Sequence, residues 1–101
     1  MRVEVLFIEG CPNHRPAVER VRAAIEAEGL SAQVSEVLIV PESAAATPGF
    51  AGSPTILVNG RDIEPTAGSA APSGYSCRSY PGGLPAVETI RAALREAARA
   101  G

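Results

Sequence analysis

Residues 2–8 constrain the fold of this chain more than any other stretch, because both faces of this segment are mostly apolar. One face carries Val3, Val5 and Phe7, and the other carries Glu4, Leu6 and Ile8. A strand with this pattern is predicted to lie inside a sheet that is covered on both sides. Residues 10–13 are predicted to form a turn, and an amphipathic helix follows. The chain is therefore expected to be an α/β protein.

The remaining segments also show strand and helix patterns. The first helix has Asn13 as its predicted N-cap, Pro16 in its first turn and Gly29 just past its end. Asn59 and Gly60 predict a two-residue hairpin turn. The other predicted elements are a strand over 33–40, a short helix over 42–47, strands over 55–58 and 61–63, a loop over 64–83 and a helix over 85–100. This order predicts a mixed sheet with helices on its faces.

Composition limits the classes of function. With 101 residues, of which 46% are hydrophobic, the chain is expected to form a single domain over 1–101. Its net charge is −2 and it contains no Lys and no run of like charges, which argues against nucleic acid as a partner. No stretch approaches the roughly 18 apolar residues that span a bilayer. Residues 1–8 are interpreted as a strand rather than a signal peptide, so a cytoplasmic protein with no membrane partner is expected.

Cys11 is the first candidate for chemistry, because it lies in the predicted turn between the first strand and the first helix. The free N–H groups and the dipole at a helix N-terminus favour an anion, and therefore favour a thiolate over a thiol. In a reducing cytoplasm, an isolated pair of cysteines is more often redox-active or metal-binding than structural. The alternative is that Cys11 is a small buried apolar residue.

Three features, in this order along the chain, resemble the thioredoxin-like fold in its compact, glutaredoxin-sized form. Cys11 lies between the first strand and the first helix, the segment 53–55 (Ser-Pro-Thr) precedes the third strand, and the hairpin turn and a terminal helix follow. The resemblance covers nearly the whole chain. It implies a four-stranded mixed sheet with helices on both faces, and a cis peptide bond at Pro54 that faces the active cysteine. It also implies substrate contacts at Pro12, Ser53 and Thr55, with the backbone next to Pro54 paired with the substrate chain.

The sequence departs from the dithiol members of that family at the fourth position of the motif. Thioredoxins and dithiol glutaredoxins carry Cys-x-x-Cys, whereas His14 stands here in place of their second cysteine. Monothiol glutaredoxins carry Cys-Gly-Phe-Ser, which does not match. Glutaredoxin-like arsenate reductases carry an Arg four positions after the cysteine. Arg15 matches that spacing, but Phe7 stands where those enzymes have a His.

Cys77 is the candidate for the missing second thiol. The antiparallel return of the fourth strand is expected to bring residue 64 back near Cys11. A loop that folds back from there can place Cys77 beside Cys11, so Cys77 is predicted to be a resolving thiol or a second soft ligand. The alternative is that Cys77 has no role.

Three charged or titratable side chains are candidates to modulate the Cys11 thiol. A protonated His14 favours the Cys11 thiolate and Arg15 acts in the same direction, whereas Glu9 opposes it. Arg78 is a candidate contact for an anionic substrate, and Arg15 is a second candidate substrate-binding residue. Each candidate cation has a simpler alternative: His14 as a solvated side chain or second cap, Arg15 as an exposed cation, and Arg78 as the partner of a surface Glu.

Three functions are compatible with these residues. The first is a thiol–disulfide oxidoreductase without a cofactor, in which Cys11 attacks a protein or small-molecule disulfide and Cys77, or a small thiol of the glutathione type, resolves the mixed disulfide. The second is a soft-metal protein that holds Cu, Zn, Hg or an Fe–S cluster through Cys11 and Cys77, with His14 as a third candidate ligand. The third is a non-catalytic adaptor of the same fold with an unreactive, buried Cys11.

Overall fold

The computed structural model describes residues 1–65, 67 and 74–100. The strands in these residues are β1 (Arg2–Ile8), β2 (Gln33–Ile39), β3 (Thr55–Val58) and β4 (Arg61–Asp62). The helices are α1 (His14–Glu28) and α2 (Val87–Ala100), and a 3-10 helix at Ala44–Ala46 lies between β2 and β3. Every predicted element occurs, and where a boundary differs from the predicted one, the shift is one or two residues.

β1 occupies an interior position in a four-stranded sheet with the order β2-β1-β3-β4. It pairs parallel with β2 along its whole length, from Arg2 opposite Gln33 to Ile8 opposite Ile39. It pairs antiparallel with β3, which in turn pairs antiparallel with β4. The sheet is therefore mixed, as predicted. The C-terminal ends of β1 and β2 and the N-terminal end of β3 share one edge, and the turn that contains Cys11 begins there.

Both α-helices pack on one face of this sheet. The strand side chains buried on that face are Val3, Val5, Ile56 and Val58, and those from the helices are Ala17, Val18, Val21, Ala24, Ile90 and Leu94. Burial of a side chain the size of Ile90 or Leu94 contributes about 1.5–3 kcal/mol. The expectation of helices on both faces is wrong for the α-helices, because α1 and α2 pack against each other as well as against the same strands.

The opposite face is covered by the 3-10 helix and by loops. Its buried members are Leu6, Ile39, Ala44 and Leu57, and the partly buried side chains packed against them include Phe50 and Tyr75. Pro41 and Pro48 bracket the 3-10 helix, and each lacks the backbone N–H that a longer helix requires. The 3-10 helix and two aromatic loop residues therefore cover this face of the sheet, where an α-helix was expected.

The ends of α1 lie where the sequence predicts them. Asn13 occupies the N-cap position, although its side chain makes no capping hydrogen bond. Gly29 ends the helix in the left-handed region, with φ of 64°, which glycine adopts without the steric cost other residues bear. Neither α1 nor α2, the α-helices of the described residues, is long and apolar enough to cross a membrane.

The hairpin and the long loop bring later residues back to the edge where Cys11 lies. Asn59 and Gly60 both have positive φ, 49° and 82°, as the predicted hairpin turn requires. Of the predicted loop over 64–83, residues 66 and 68–73 lie outside the described part of the chain. In the described part, residue 77 forms an isolated parallel β-bridge with residue 53. The loop therefore returns to the N-terminal end of β3.

Candidate functional site

Cys11 lies in the turn between β1 and α1 and is a free, partly exposed thiol. Its backbone N–H donates to the carbonyl oxygen of Ile8 over 3.3 Å, and its own carbonyl oxygen accepts from the N–H of His14 over 3.3 Å. These two bonds fix the backbone of the turn at the start of α1. Because Cys11 is partly exposed, the alternative of a fully buried apolar cysteine is wrong.

The N-terminus of α1 has one carboxylate beside it from another element, because Oε1 of Glu36 on β2 lies 2.6 Å from Nε2 of His14 in the first turn. Its first turn contains no acidic residue, and no side chain caps it. Pro16 brings no N–H to this turn, and the N–H of Ala17 bonds to the carbonyl oxygen of Asn13 over 3.0 Å. A helix end of this kind favours a neighbouring anion.

Ser53 connects the end of β1 to the segment before β3. Its buried hydroxyl accepts a hydrogen bond of 3.1 Å from the N–H of Ile8, three residues before Cys11. The peptide bond between Ser53 and Pro54 is cis, which confirms that expectation. The hydroxyl of Thr55 is also buried, where it donates to the carbonyl oxygen of Gly52. Both hydroxyls are therefore bonded within the chain, and contact with substrate through either of them stays a prediction.

Cys77 is held beside Ser53 by a pair of backbone hydrogen bonds. The N–H of Ser53 donates to the carbonyl oxygen of Ser76 over 2.8 Å, and its carbonyl oxygen accepts from the N–H of Arg78 over 2.9 Å. Cys77 itself is exposed and free. Ser53 is therefore in direct contact both with Ile8 at the start of the Cys11 turn and with the segment that carries Cys77. The two cysteines lie at the same edge of the sheet as separate thiols.

Arg78 is a buried structural residue, and its role as a contact for an anionic substrate needs correction. Its side chain is fully buried, and Nη2 lies 2.8 Å from Oδ2 of Asp62. Nη1 donates to Oδ1 of Asp62 and to the hydroxyl of Tyr80, both over 3.1 Å. Nε donates to the carbonyl oxygen of Ala67 and Nη2 to that of Glu64. Four hydrogen bonds and the ion pair with Asp62 therefore hold the fully buried guanidinium inside the chain, where a substrate does not reach it.

Tyr80 and Asp62 belong to this network and were not singled out from the sequence. Tyr80 is 6% exposed, and burial raises the pKa of its hydroxyl to about 12. Its guanidinium neighbour, Arg78, also lies 5.1 Å from the centre of the ring. Two of the four aromatic residues of the chain fall in the long loop. That concentration of large apolar groups was the available signal that the loop packs against the domain.

His14 is held by contacts on the helix face of the sheet. Its Nε2 lies 2.6 Å from Oε1 of Glu36 on β2, and its ring stacks on Phe7 at 3.6 Å between centroids. The alternative of a solvated side chain is therefore wrong, whereas that of a second cap stays a prediction. Arg15 and Pro12 are both exposed beside Cys11. Any effect of His14 or Arg15 on the thiol remains a prediction.

Neither the arrangement of metal-ligating side chains nor the groove found in the described residues coincides with the predicted site residues. Within the described residues, no group of three or more His, Cys, Asp or Glu side chains is placed to hold a metal ion.

A groove of about 500 Å³ lies between the hairpin and α2, and Asn59, Ile63 and Ala97 are among its lining residues. It adjoins the hairpin turn, at the end of β3 opposite Pro54. None of the predicted site residues lines it.

Comparison of the chain with family models, with curated proteins and with solved structures returns no match. The case for a function therefore rests on the residues at the Cys11 edge of the sheet.

Proposed function

We propose that this protein is a thioredoxin-like thiol–disulfide oxidoreductase in which Cys11 attacks and Cys77 resolves. The finer fold assignment is supported by the strand order β2-β1-β3-β4, by the parallel β1–β2 pair joined through α1, and by the cis peptide bond before Pro54. Free thiols fit a reducing compartment, so the cytoplasm is the proposed location.

The observation that carries this proposal is the double attachment of Ser53. Its hydroxyl binds Ile8 at the end of β1, and its backbone binds the residues on either side of Cys77. One buried residue thus holds a second thiol at the edge of the sheet that presents Cys11. Cys77, from a loop far along the chain, is therefore the candidate for the resolving thiol that the Cys-x-x-Cys motif supplies in other proteins.

The proposed reaction consists of two exchanges. The Cys11 thiolate attacks one sulfur of a disulfide R–S–S–R, which forms Cys11–S–S–R and releases R–S⁻. Cys77 then loses its proton to solvent and attacks the sulfur of Cys11, which forms the Cys11–Cys77 disulfide and releases the second R–S⁻. The two cysteines are oxidised while one disulfide is reduced to two thiols. A low-molecular-weight thiol returns the protein to the dithiol form by the reverse chemistry.

A two-coordinate site for a soft ion is the second candidate function. Two free cysteines held at one edge of the sheet suit Cu(I) or Hg(II), which accept two thiolates. Titration calorimetry with Cu(I) separates the two functions. Binding with one ion per chain that disappears in both Cys11→Ser and Cys77→Ser supports the metal site, and unchanged binding in either variant removes it.

Mass spectrometry of trapped intermediates tests the oxidoreductase proposal. Treatment of the wild type with glutathione disulfide is expected to give the internal Cys11–Cys77 disulfide, whereas Cys77→Ser is expected to stop at a glutathione adduct on Cys11. Cys11→Ser is expected to react no faster than a cysteine in an unfolded peptide. A Cys11 thiol that reacts only at that peptide rate favours the non-catalytic adaptor and rejects the oxidoreductase.

A further inference from the structure

The backbone of Ser53 is occupied by the chain itself, and this limits what Cys11 can accept as substrate. An extended peptide that docks on a sheet needs an edge with free N–H and C=O groups. Beside the Cys11 turn, the backbone that could pair with such a peptide is that of Ser53, just before β3, because Ser53 directly contacts Ile8. Its N–H and its C=O are both bonded to residues 76–78. The place for an added strand is already filled.

The segment 76–78, which bonds to the backbone of Ser53, is anchored to the rest of the domain by buried side chains. Arg78 places its guanidinium in a fully buried position against Asp62. Tyr80, two residues on, donates its hydroxyl to the carbonyl oxygen of Pro54 over 2.6 Å. Lifting the segment away from Ser53 breaks both ladder hydrogen bonds and disturbs the buried ion pair. An incoming peptide must therefore compete with a segment that belongs to the same chain and is anchored by the buried side chains of Arg78 and Tyr80.

The remaining edges of the described sheet offer no equivalent place. β2 forms one outer edge, and a strand added there lies two strand spacings, about 10 Å, from β1. A disulfide requires Cα atoms roughly 4.4–6.8 Å apart. β4 covers the other side of β3 only as far as Ile56, whose carbonyl oxygen accepts from the N–H of Ile63. Residues 76–78 cover Ser53, the residue two positions before β3 begins.

We infer that the substrate of Cys11 is a low-molecular-weight disulfide and not a cysteine within an extended polypeptide. This inference rests on the proposed oxidoreductase function. Cys11 is partly exposed and its neighbours Pro12 and Arg15 are exposed, so a small disulfide can reach the thiol without backbone pairing. The segment 76–78 takes the position of a substrate strand and brings Cys77 with it.

Matched probes on a single-thiol protein test this inference. Cys77→Ser serves as the reference protein, so that Cys11 alone reacts. The probes are mixed disulfides of 5-thio-2-nitrobenzoate with N-acetylcysteine amide and with an octapeptide that carries the same cysteine at its centre. Attack by the Cys11 thiolate on the cysteine sulfur forms a new disulfide and releases the coloured thiolate in both cases. The octapeptide is expected to react no faster than N-acetylcysteine amide.

Two proline variants in that background separate docking from other effects. Arg78→Pro removes the N–H that donates to Ser53 together with the guanidinium, and is expected to raise the ratio of the octapeptide rate to the small-probe rate by about tenfold or more. Ser79→Pro keeps the N–H of Arg78, and neither ladder bond uses the N–H of Ser79, so this variant is expected to leave that ratio unchanged.

Hydrogen exchange on the wild type gives a readout that does not depend on whether Arg78→Pro folds. The amides of Ser53 and Arg78 are expected to be strongly protected. Exchange of both at rates near those of an unfolded chain overturns the inference, as does an octapeptide that outruns N-acetylcysteine amide on the reference protein. If Cys11 reacts with neither probe faster than a free peptide thiol, the oxidoreductase function itself fails, and the inference fails with it.

Discussion

The hydroxyl of Tyr80 donates a hydrogen bond of 2.6 Å to the carbonyl oxygen of Pro54 and accepts one of 3.1 Å from Arg78. The phenol thereby connects the cis-proline segment to the buried guanidinium. Both contacts are buried, so neither end can turn to water when the other is removed. This hydroxyl is the link between the edge that carries Cys11 and the loop that carries Cys77.

Replacement of Tyr80 by Phe is expected to lower the free energy of unfolding by about 1–3 kcal/mol, because it leaves the buried carbonyl oxygen of Pro54 without its donor. Urea denaturation followed by circular dichroism measures this change. Ser35→Ala, which removes an exposed hydroxyl from β2, is the control variant and is expected to change stability by less than about 0.5 kcal/mol. Equal losses in the two variants would contradict the role assigned to the Tyr80 hydroxyl.

The same residue predicts a loss of stability in alkaline solution. Burial raises the pKa of Tyr80 from 10.0 to about 12, so the folded protein keeps the phenol proton at pH values where the unfolded chain releases it. Its contribution is fully present below pH 10 and is lost as the pH rises towards about 12. The unfolding free energy of the wild type is therefore expected to fall more steeply over this range than that of Tyr80→Phe. If the unfolding free energies of the two proteins fall with pH at the same rate, the raised pKa of Tyr80 does not contribute to this loss of stability.

Replacement of Arg78 by Met is expected to cost about 3–5 kcal/mol, because it leaves Asp62 without its cation and removes the donors of two partly buried carbonyl oxygens. Thermal and urea denaturation measure the loss. Arg61→Met provides the control on the adjacent strand, since Arg61 is exposed, and is expected to change stability by less than about 0.5 kcal/mol. A small effect at Arg78 would show that the loop is not held by this ion pair.

Replacement of Ser53 by Ala is expected to cost about 1–3 kcal/mol, because the partly buried N–H of Ile8 loses its acceptor. The amide of Ile8 is expected to exchange faster with solvent, while the amide of Arg78 stays protected because its acceptor is the backbone oxygen of residue 53. Ser35→Ala on the exposed side of β2 is the control and is expected to be neutral within about 0.5 kcal/mol. Unchanged exchange at Ile8 would argue against the bond.

Glu28 predicts an acid-dependent contribution at the contact between the helices. Its Oε2 lies 2.7 Å from Nε of Arg91 and 2.8 Å from Nη1 of Arg95, so it joins α1 to α2. The hydrogen bond from Arg91 is the main cause that lowers the pKa of Glu28 below its ordinary 4.5. The contribution is therefore present above pH 4.5 and is lost as the pH falls through the lower folded value.

Glu28→Gln is accordingly expected to lower the melting temperature at pH 7 but to match the wild type in strongly acidic solution. Glu88→Gln is the matched control, because Glu88 contacts the same Arg91 from within α2 and is 76% exposed. It is expected to have the smaller effect at neutral pH. A difference between wild type and Glu28→Gln that persists in acid would show that packing, and not charge, is responsible.

Local sequence patterns predicted the elements and their caps because those depend on neighbours in the chain. The apolar alternation of residues 2–8, the turn at Asn59 and Gly60 and the end of α1 at Gly29 all concern interactions within a few residues. The cis bond at Pro54 was expected only through a resemblance. The apolar side of each amphipathic helix predicts that this side is buried, but it does not predict which face of the sheet covers it. The position of both helices on one face could therefore not be predicted from the sequence.

What the sequence by itself determined is therefore the mixed α/β architecture and the location of Cys11 between a strand and a helix. Only the tertiary structure decided that Arg78 is buried, that Cys77 lies beside Ser53 and that the edge next to Cys11 is filled. The physical reason is sequence separation: residues 53 and 77 meet through backbone hydrogen bonds, which are available to every residue type and leave no mark in the amino-acid pattern.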